Sequence, residues 1–185
     1  MSKMKASTAM RRLLRREKIF IRPGCHDALS ARIAEAAGFE AIGMSGYAVS
    51  VSLLGQPDVG LISMSETVRM CRYICNAVDI PVMVDADTGY GDVDMAAQTC
   101  RDYAVAGAAG MHLEDQVFPK RCGHLDGKEL VTTEAMIAEI PDECWRALRE
   151  AAAVGVASVS GPKRRRRARS SSPATMGTAA SGATP

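Results

Sequence analysis

Two carboxylates, Asp85 and Asp87, stand one residue apart where an apolar run opened by Pro81 meets the turn Thr88-Gly89-Tyr90-Gly91. On a strand, residues i and i+2 share a face. Both acids are therefore expected to converge at the strand's C-terminal end. A second apolar run, Gly110-Met111-His112-Leu113, delivers Glu114 and Asp115 in the same way. Acids brought to a common rim by two strands suit a hard divalent cation, which takes oxygen ligands. His112 shares a strand face with Glu114 and reads as a hydrogen-bonded interior side chain, not a ligand. Asp115 reads as an acid that anchors the next loop.

That loop holds the second candidate for chemistry. Cys122 lies in Lys120-Arg121-Cys122-Gly123-His124. Neighbouring cations lower a thiol's pKa, so Cys122 is expected to be a poised proton donor rather than an inert buried cysteine. His124 is expected to contact a substrate carboxylate or to orient the loop. Cys71 and Cys75, one helical turn apart, read instead as small core residues. With no secretory signal in the sequence, all six cysteines are expected to be reduced thiols. His26 either caps a helix or lines the rim, and the sequence leaves both open.

The elements that must carry these groups alternate. Lys18–Ile21 reads as a strand. A helix from Ala28 to Ala37 follows, capped by Asp27, with Leu29, Ile33 and Ala37 on one face and Gly38 as its stop. Glu40–Met44 is a second strand. Ser63-Met64-Ser65-Glu66 fits a capping box, and Met64, Val68, Cys71, Cys75 and Val78 form an apolar stripe behind it. The third strand leads to the acids. A helix capped by Asp92 precedes the fourth strand, 109–114. Such βα alternation predicts a parallel sheet covered by helices. Acids at strand C-termini match the active-site end of a (β/α)8 barrel. The first turn, Arg22–Asp27, lacks a dinucleotide-type glycine fingerprint, which favours the barrel over an open doubly wound sheet.

A full barrel needs about 250 residues, and four strands are used by residue 114. The expected organisation is a partial, TIM-barrel-type α/β unit truncated to about its first four βα units over 1–140. A divergent helical segment over 141–160 follows, with a helix over 141–154, and then a disordered basic tail over 161–185. The net charge is +2, and six of the positive charges sit in that tail with no acid, leaving −4 on residues 1–160. The basicity is thus local, and the run 163–169 reads as solvated rather than as a nucleic-acid contact. No apolar run approaches the roughly 20 residues that span a bilayer. The N-terminal 16 residues read as a basic first helix carrying Leu13 and Leu14 to the core, with a mitochondrial presequence as the competing interpretation.

Lys120-Arg121-Cys122-Gly123-His124-Leu125 resembles the signature loop of the isocitrate lyase/phosphoenolpyruvate mutase superfamily. Pro23-Gly24-Cys25-His26-Asp27-Ala28-Leu29-Ser30-Ala31, Ser45-Gly46-Tyr47 and Val84–Gly91 resemble it too, in the family's order, over about residues 10–140. The resemblance implies a Mg²⁺-dependent (or Mn²⁺-dependent) cytoplasmic enzyme, with relatives that form homotetramers. It implies a carbon–carbon lyase that cleaves a 2-hydroxy di- or tricarboxylate of the methylisocitrate or dimethylmalate kind. A carboxyphosphonoenolpyruvate-type phosphonomutase, an oxaloacetate decarboxylase and an inactive truncated fragment are the alternatives. The partner expected is a small carboxylate, with no nucleic acid and no membrane. By the same resemblance Asp85, Asp87 and Glu114 are the metal-site acids. Ser45, Gly46, Tyr47, Asp58 and Gly123 contact substrate, and Cys122, His124 and Lys120 are catalytic. The family's later strands find no match after residue 140, which is expected to reflect a reading-frame shift.

Overall fold

The structure, a computed structural model, describes residues 4–123, 125–139 and 153–154. Five short strands pair in parallel and in chain order: β1 (Gly24–Cys25), β2 (Ile42–Met44), β3 (Val82–Asp85), β4 (Gly110–His112) and β5 (Ala153–Val154). Helices α1 (Ala6–Leu14), α2 (Ala28–Ala36), α3 (Gly46–Leu54), α4 (Met64–Ala77), α5 (Val93–Ala106) and α6 (Thr133–Glu139) alternate with them. Each strand pairs with the next in sequence, as a βα barrel requires.

Period-two alternation divides the sheet into two faces. Ile42, Met44, Val82, Val84 and Met111 join Ala31, Cys71, Ile74, Cys100 and Tyr103 in the main core. The opposite face carries Met83, which clusters with Ala41 and Ala109 just before β2 and β4, and α1 packs Met10 and Leu13 against them. Leu14, expected inward with Leu13, is largely exposed. Next along that face the register aligns Gly24, Gly43, Met83 and Gly110 in one row. These glycines leave room that Arg22 fills: a Cβ on Gly43 would lie 2.6 Å from the Arg22 guanidinium.

The expected caps form. Asp27 accepts the Ser30 N–H at 2.7 Å at the start of α2. Glu66 accepts the backbone N–H of Ser63 at 2.9 Å at the start of α4, completing a capping box. Cys71 and Cys75 lie 3.7 Å apart, sulfur to sulfur, as free thiols beside the core.

Four expectations are corrected. Lys18–Ile21 is not a strand: Ile19 and Ile21 are 90% and 71% exposed, and only Phe20 packs inward, against the α1 cluster. The ladder begins later, where the Pro23 carbonyl accepts the Gly43 N–H at 2.9 Å. Helix α2 is rotated relative to its expected face. Ala31 is fully buried, whereas Leu29 and Ile33 are exposed, because small residues let the helix approach the strands closely. Ser45-Gly46-Tyr47 opens α3, a helix not anticipated from its serine- and valine-rich sequence. Finally, Ala153–Val154 is a fifth parallel strand beside β4 rather than the end of a helix. The rest of the expected helix over 141–154, and the tail over 161–185, lie outside the described residues.

Candidate active site at the strand C-termini

Asp85 ends β3 directly opposite His112 on β4. Its Oδ2 accepts the Gly46 N–H at 3.3 Å, and its Oδ1 accepts the Asp87 N–H at 3.0 Å. Gly46 is the first residue of α3, whose N-cap Ser45 accepts the Ala48 N–H through its hydroxyl at 3.3 Å. A helix N-terminus carries partial positive charge, so Asp85 faces a favourable dipole. A side chain at Gly46 is excluded, because its Cβ would lie 2.6 Å from Asp85 Oδ2.

Asp87 turns back over the strand end in a left-handed conformation, with φ +47°. Its side chain is buried against Lys120, whose ammonium lies 2.5 Å from Asp87 Oδ1 and 2.7 Å from Asp58 Oδ1. The Lys120 side chain is only 2% exposed. Burial alone pulls the lysine's proton affinity down, but Asp87 and Asp58 outweigh it, so Lys120 is held cationic. The backbone ties the second strand to the first: the Glu114 N–H donates to the Asp87 carbonyl at 2.8 Å. The Gln116 side-chain amide then donates to Glu114 Oε2 at 2.6 Å and to the Arg121 carbonyl at 2.9 Å. The loop carrying Lys120 and Cys122 is closed at its base by the Val117 N–H, which donates to the Glu129 carbonyl at 2.8 Å.

The three acids strain one another. Burial first, then the nearby Asp85, lifts Asp87 to about 6. Burial and Asp85 likewise lift Glu114 to about 7. On the other side, burial and then Arg22 lower the proton affinity of His112, which lies opposite Asp85. With every group ionised, four carboxylates (Asp58, Asp85, Asp87 and Glu114) meet two cations, Lys120 and Arg22, a surplus of two negative charges. Asp87 Oδ1 is occupied by the Lys120 ammonium. The surplus of carboxylates over cations fits a divalent cation held by Asp85, Asp87 and Glu114, in part through water. Among the described residues no three His, Cys, Asp or Glu side chains stand close enough together to hold a metal ion directly. Mg²⁺ tolerates this because it keeps several waters and uses few direct carboxylates.

The remaining expected residues are distributed as follows. Asp58 is buried on Lys120, and Tyr47 is about half exposed. Cys122 is buried, and the Gly123 carbonyl accepts the Lys128 ammonium at 2.6 Å. His124 lies outside the described residues. Lys120 does not stand beside the thiol as a free cation; its single charge is shared by Asp58 and Asp87. Asp115 holds the loop base through its carbonyl, which accepts the Val131 N–H at 2.9 Å. Sequence reasoning missed Arg22 and Gln116. Gln116 was available as the next period-two position after Glu114. Arg22 gave no such signal, because the first strand was placed too early.

Comparison with known proteins agrees with this geometry. The phosphoenolpyruvate phosphomutase family model matches residues 10–159, nineteen residues beyond the likeness expected from the motifs. The chain is 46% identical to 2,3-dimethylmalate lyase of Eubacterium barkeri over 137 residues, covering 74% of this chain and 47% of that protein. It is 47% identical over 132 residues to a probable 2-methylisocitrate lyase of Corynebacterium glutamicum, covering 71% and 43%. It is 46% identical over 134 residues to the chloroplastic carboxyvinyl-carboxyphosphonate phosphorylmutase of Arabidopsis thaliana, covering 72% and 40%. A crystal structure of 2,3-dimethylmalate lyase superposes with a TM-score of 0.77 at 38% identity, over 85% of this chain and 54% of that one. Phosphonopyruvate hydrolase in complex with oxalate and Mg²⁺ superposes with a TM-score of 0.67 at 34% identity, over 81% and 49%. The chain therefore spans about half the length of the relatives it matches. With its parallel strands in barrel order and its acids at their C-terminal ends, it belongs to the phosphoenolpyruvate phosphomutase family, within the phosphoenolpyruvate mutase/isocitrate lyase superfamily.

Proposed function

We propose that this chain carries the metal-binding half of a carbon–carbon lyase site acting on a 2-hydroxy di- or tricarboxylate of the dimethylmalate or methylisocitrate kind. The observation that carries the reading is the cluster of Asp85, Asp87 and Glu114 around uncompensated negative charge, with Lys120 buried behind it. Bound Mg²⁺ would supply a Lewis acid for charge developing on the substrate's C2 oxygen. Asp85, fixed by two backbone N–H groups, would orient the carboxylate cluster. The N-terminal turn of α3, at Tyr47 beyond the Gly46 N–H that Asp85 already takes, would receive the substrate carboxylate. Cleavage breaks the C2–C3 bond and leaves its electron pair on the departing fragment. The C2 hydroxyl gives its proton to water and becomes the 2-oxo group, and the departing carbanion takes a proton from Cys122 Sγ, whose thiolate regains one from solvent.

The test is release of a 2-oxo acid from a panel of 2-hydroxy di- and tricarboxylates, with and without Mg²⁺. No release from the panel by the protein, although Mg²⁺ binds, would count against the lyase reading. A second reading, movement of a phosphoryl group between carbon and oxygen, is favoured by the equal identity to the plant phosphorylmutase. It predicts rearrangement of a phosphonate with no 2-oxo acid released from hydroxy acids. A cytoplasmic setting and a homotetrameric parent protein belong to the same resemblance. An inactive fragment would bind metal without turnover of either substrate class.

A further inference from the structure

The turn that carries Asp87 is unusual in its backbone. Asp87 and Tyr90 both take positive φ without being glycine, at +47° and +65°, a conformation that L side chains resist. Something outside the turn must hold it. The turn lies directly on helix α5: a Cβ on Gly89 would be 2.7 Å from the Ala96 Cβ, and one on Gly91 would be 2.8 Å from the Met95 Cβ. Two hydroxyls of α5, one helical turn apart, then reach the two ends of the turn. Tyr103, fully buried, donates to the Asp85 carbonyl at 3.1 Å. Thr99 Oγ1, also buried, lies 2.9 Å from the Gly89 carbonyl. Its single proton has the Met95 carbonyl, also at 2.9 Å, and Met64 Sδ at 3.0 Å as rival acceptors. Between these anchor points sits the Asp87 carboxylate, pressed on Lys120.

We propose that Thr99 and Tyr103 are positioning residues that fix Asp87 by gripping the backbone carbonyls at both ends of its turn, so that α5 sets the geometry of the acid cluster. This rests on the reading of Asp87 as a metal-site acid. Neither hydroxyl is bonded to a carboxylate of the site, so removing them changes no charge there. Any effect on the site must pass through the position of the turn. The Glu114 N–H donates to the Asp87 carbonyl, so a loosened turn also releases the second strand's acid.

The experiment compares the chain with Thr99→Val, Tyr103→Phe, their double variant, Thr99→Ser and the unrelated core variant Ile74→Val. Mn²⁺ affinity is read by electron paramagnetic resonance of the free ion. Amide hydrogen exchange is read in metal-free buffer. The expected result is a Kd weakened by about tenfold or more in the double variant. Exchange should also speed up at residues 87–89 and 114 but not along α4. Thr99→Ser should stay within about twofold of the parent, and Ile74→Val should leave the Kd unchanged. A double variant with parental Kd and parental exchange at 87–89 overturns the proposal. So does a loss that merely follows melting temperature across all five proteins, Ile74→Val included. If the parent chain takes up no Mn²⁺, the metal reading fails on its own, and the exchange measurement alone decides whether α5 holds the turn.

Discussion

Replacing Lys120 by methionine isolates the strongest electrostatic feature of the site. The side chain keeps its length and loses its charge, leaving Asp58 and Asp87 facing each other in a region where each is less than a tenth exposed. At an effective dielectric near 20, unit charges at the Lys120–Asp58 separation attract by about 6 kcal/mol. Desolvation of the buried ammonium and carboxylates cancels several kcal/mol of that gain. Removing one partner from a buried pair leaves a net loss of about 3–5 kcal/mol, the magnitude expected for Lys120→Met near neutral or alkaline pH. The loss should depend on pH with a definite sign. Asp87 already titrates at about 6, above the usual 3.8, and without Lys120 its folded value rises further. Between the unfolded and folded values the unfolded chain has shed a proton that the folded chain keeps. Stability therefore falls as pH rises through this window and is retained below it. Urea unfolding followed by circular dichroism in EDTA, at about pH 5 and about pH 8, gives the two free energies. At the lower pH Asp87 is protonated, only Asp58 lacks a counter-charge, and the penalty should shrink to about half. The double variant Lys120→Met/Asp87→Asn should regain part of the loss at the higher pH. A penalty under about 1 kcal/mol at the higher pH, or one equal at both, would refute the buried triad as the organising charge of the site.

Mn²⁺ or Mg²⁺ at about a hundred times its Kd should stabilise the chain by about 2.7 kcal/mol. Because Asp87 and Glu114 titrate at about 6 and about 7, ion uptake near neutral pH should release protons and affinity should fall as pH drops; calorimetry in buffers of different ionisation heat measures both. Gly46→Ala drives a methyl into Asp85 Oδ2 and should weaken Mn²⁺ binding about tenfold, with about 1–3 kcal/mol of destabilisation. Gly43→Ala meets only the end of the flexible Arg22 side chain and should cost less in the same urea assay. Cys122→Ser should lower lyase turnover about a hundredfold or more while the urea midpoint stays close to that of the parent; unchanged turnover would remove the thiol from the reaction.

The first acid of the site was legible because strand alternation is a local rule. That rule reaches Asp85, which ends β3; Asp87 and Glu114 lie past the ends of β3 and β4, and the left-handed turn at Asp87, not strand alternation, brings them back over the rim. The place of Lys120 was not legible, because it depends on how the 117–129 loop closes on itself and on which buried acids it meets; nearness in sequence suggested Cys122 instead. Helix α2 was assigned its face by its largest apolar residues, Leu29 and Ile33, yet close packing selected Ala31. Helix α3 was missed because β-branched and serine residues favour other local structure, whereas the Ser45 cap and the packing of Val49 in the main core hold it. Arg22 was hidden because its role follows from a row of glycines on neighbouring strands, a relation that only the register displays.

The order of strand pairing bears on biosynthesis. Every ladder joins a segment to the one made just before it, and each closes around a local hydrophobic contact with low loop-closure cost. A ribosome releasing this polypeptide from its N-terminal end would therefore let each strand after β1 pair with one already made as it emerges, whereas α1 waits for the segments around Ala41, Met83 and Ala109.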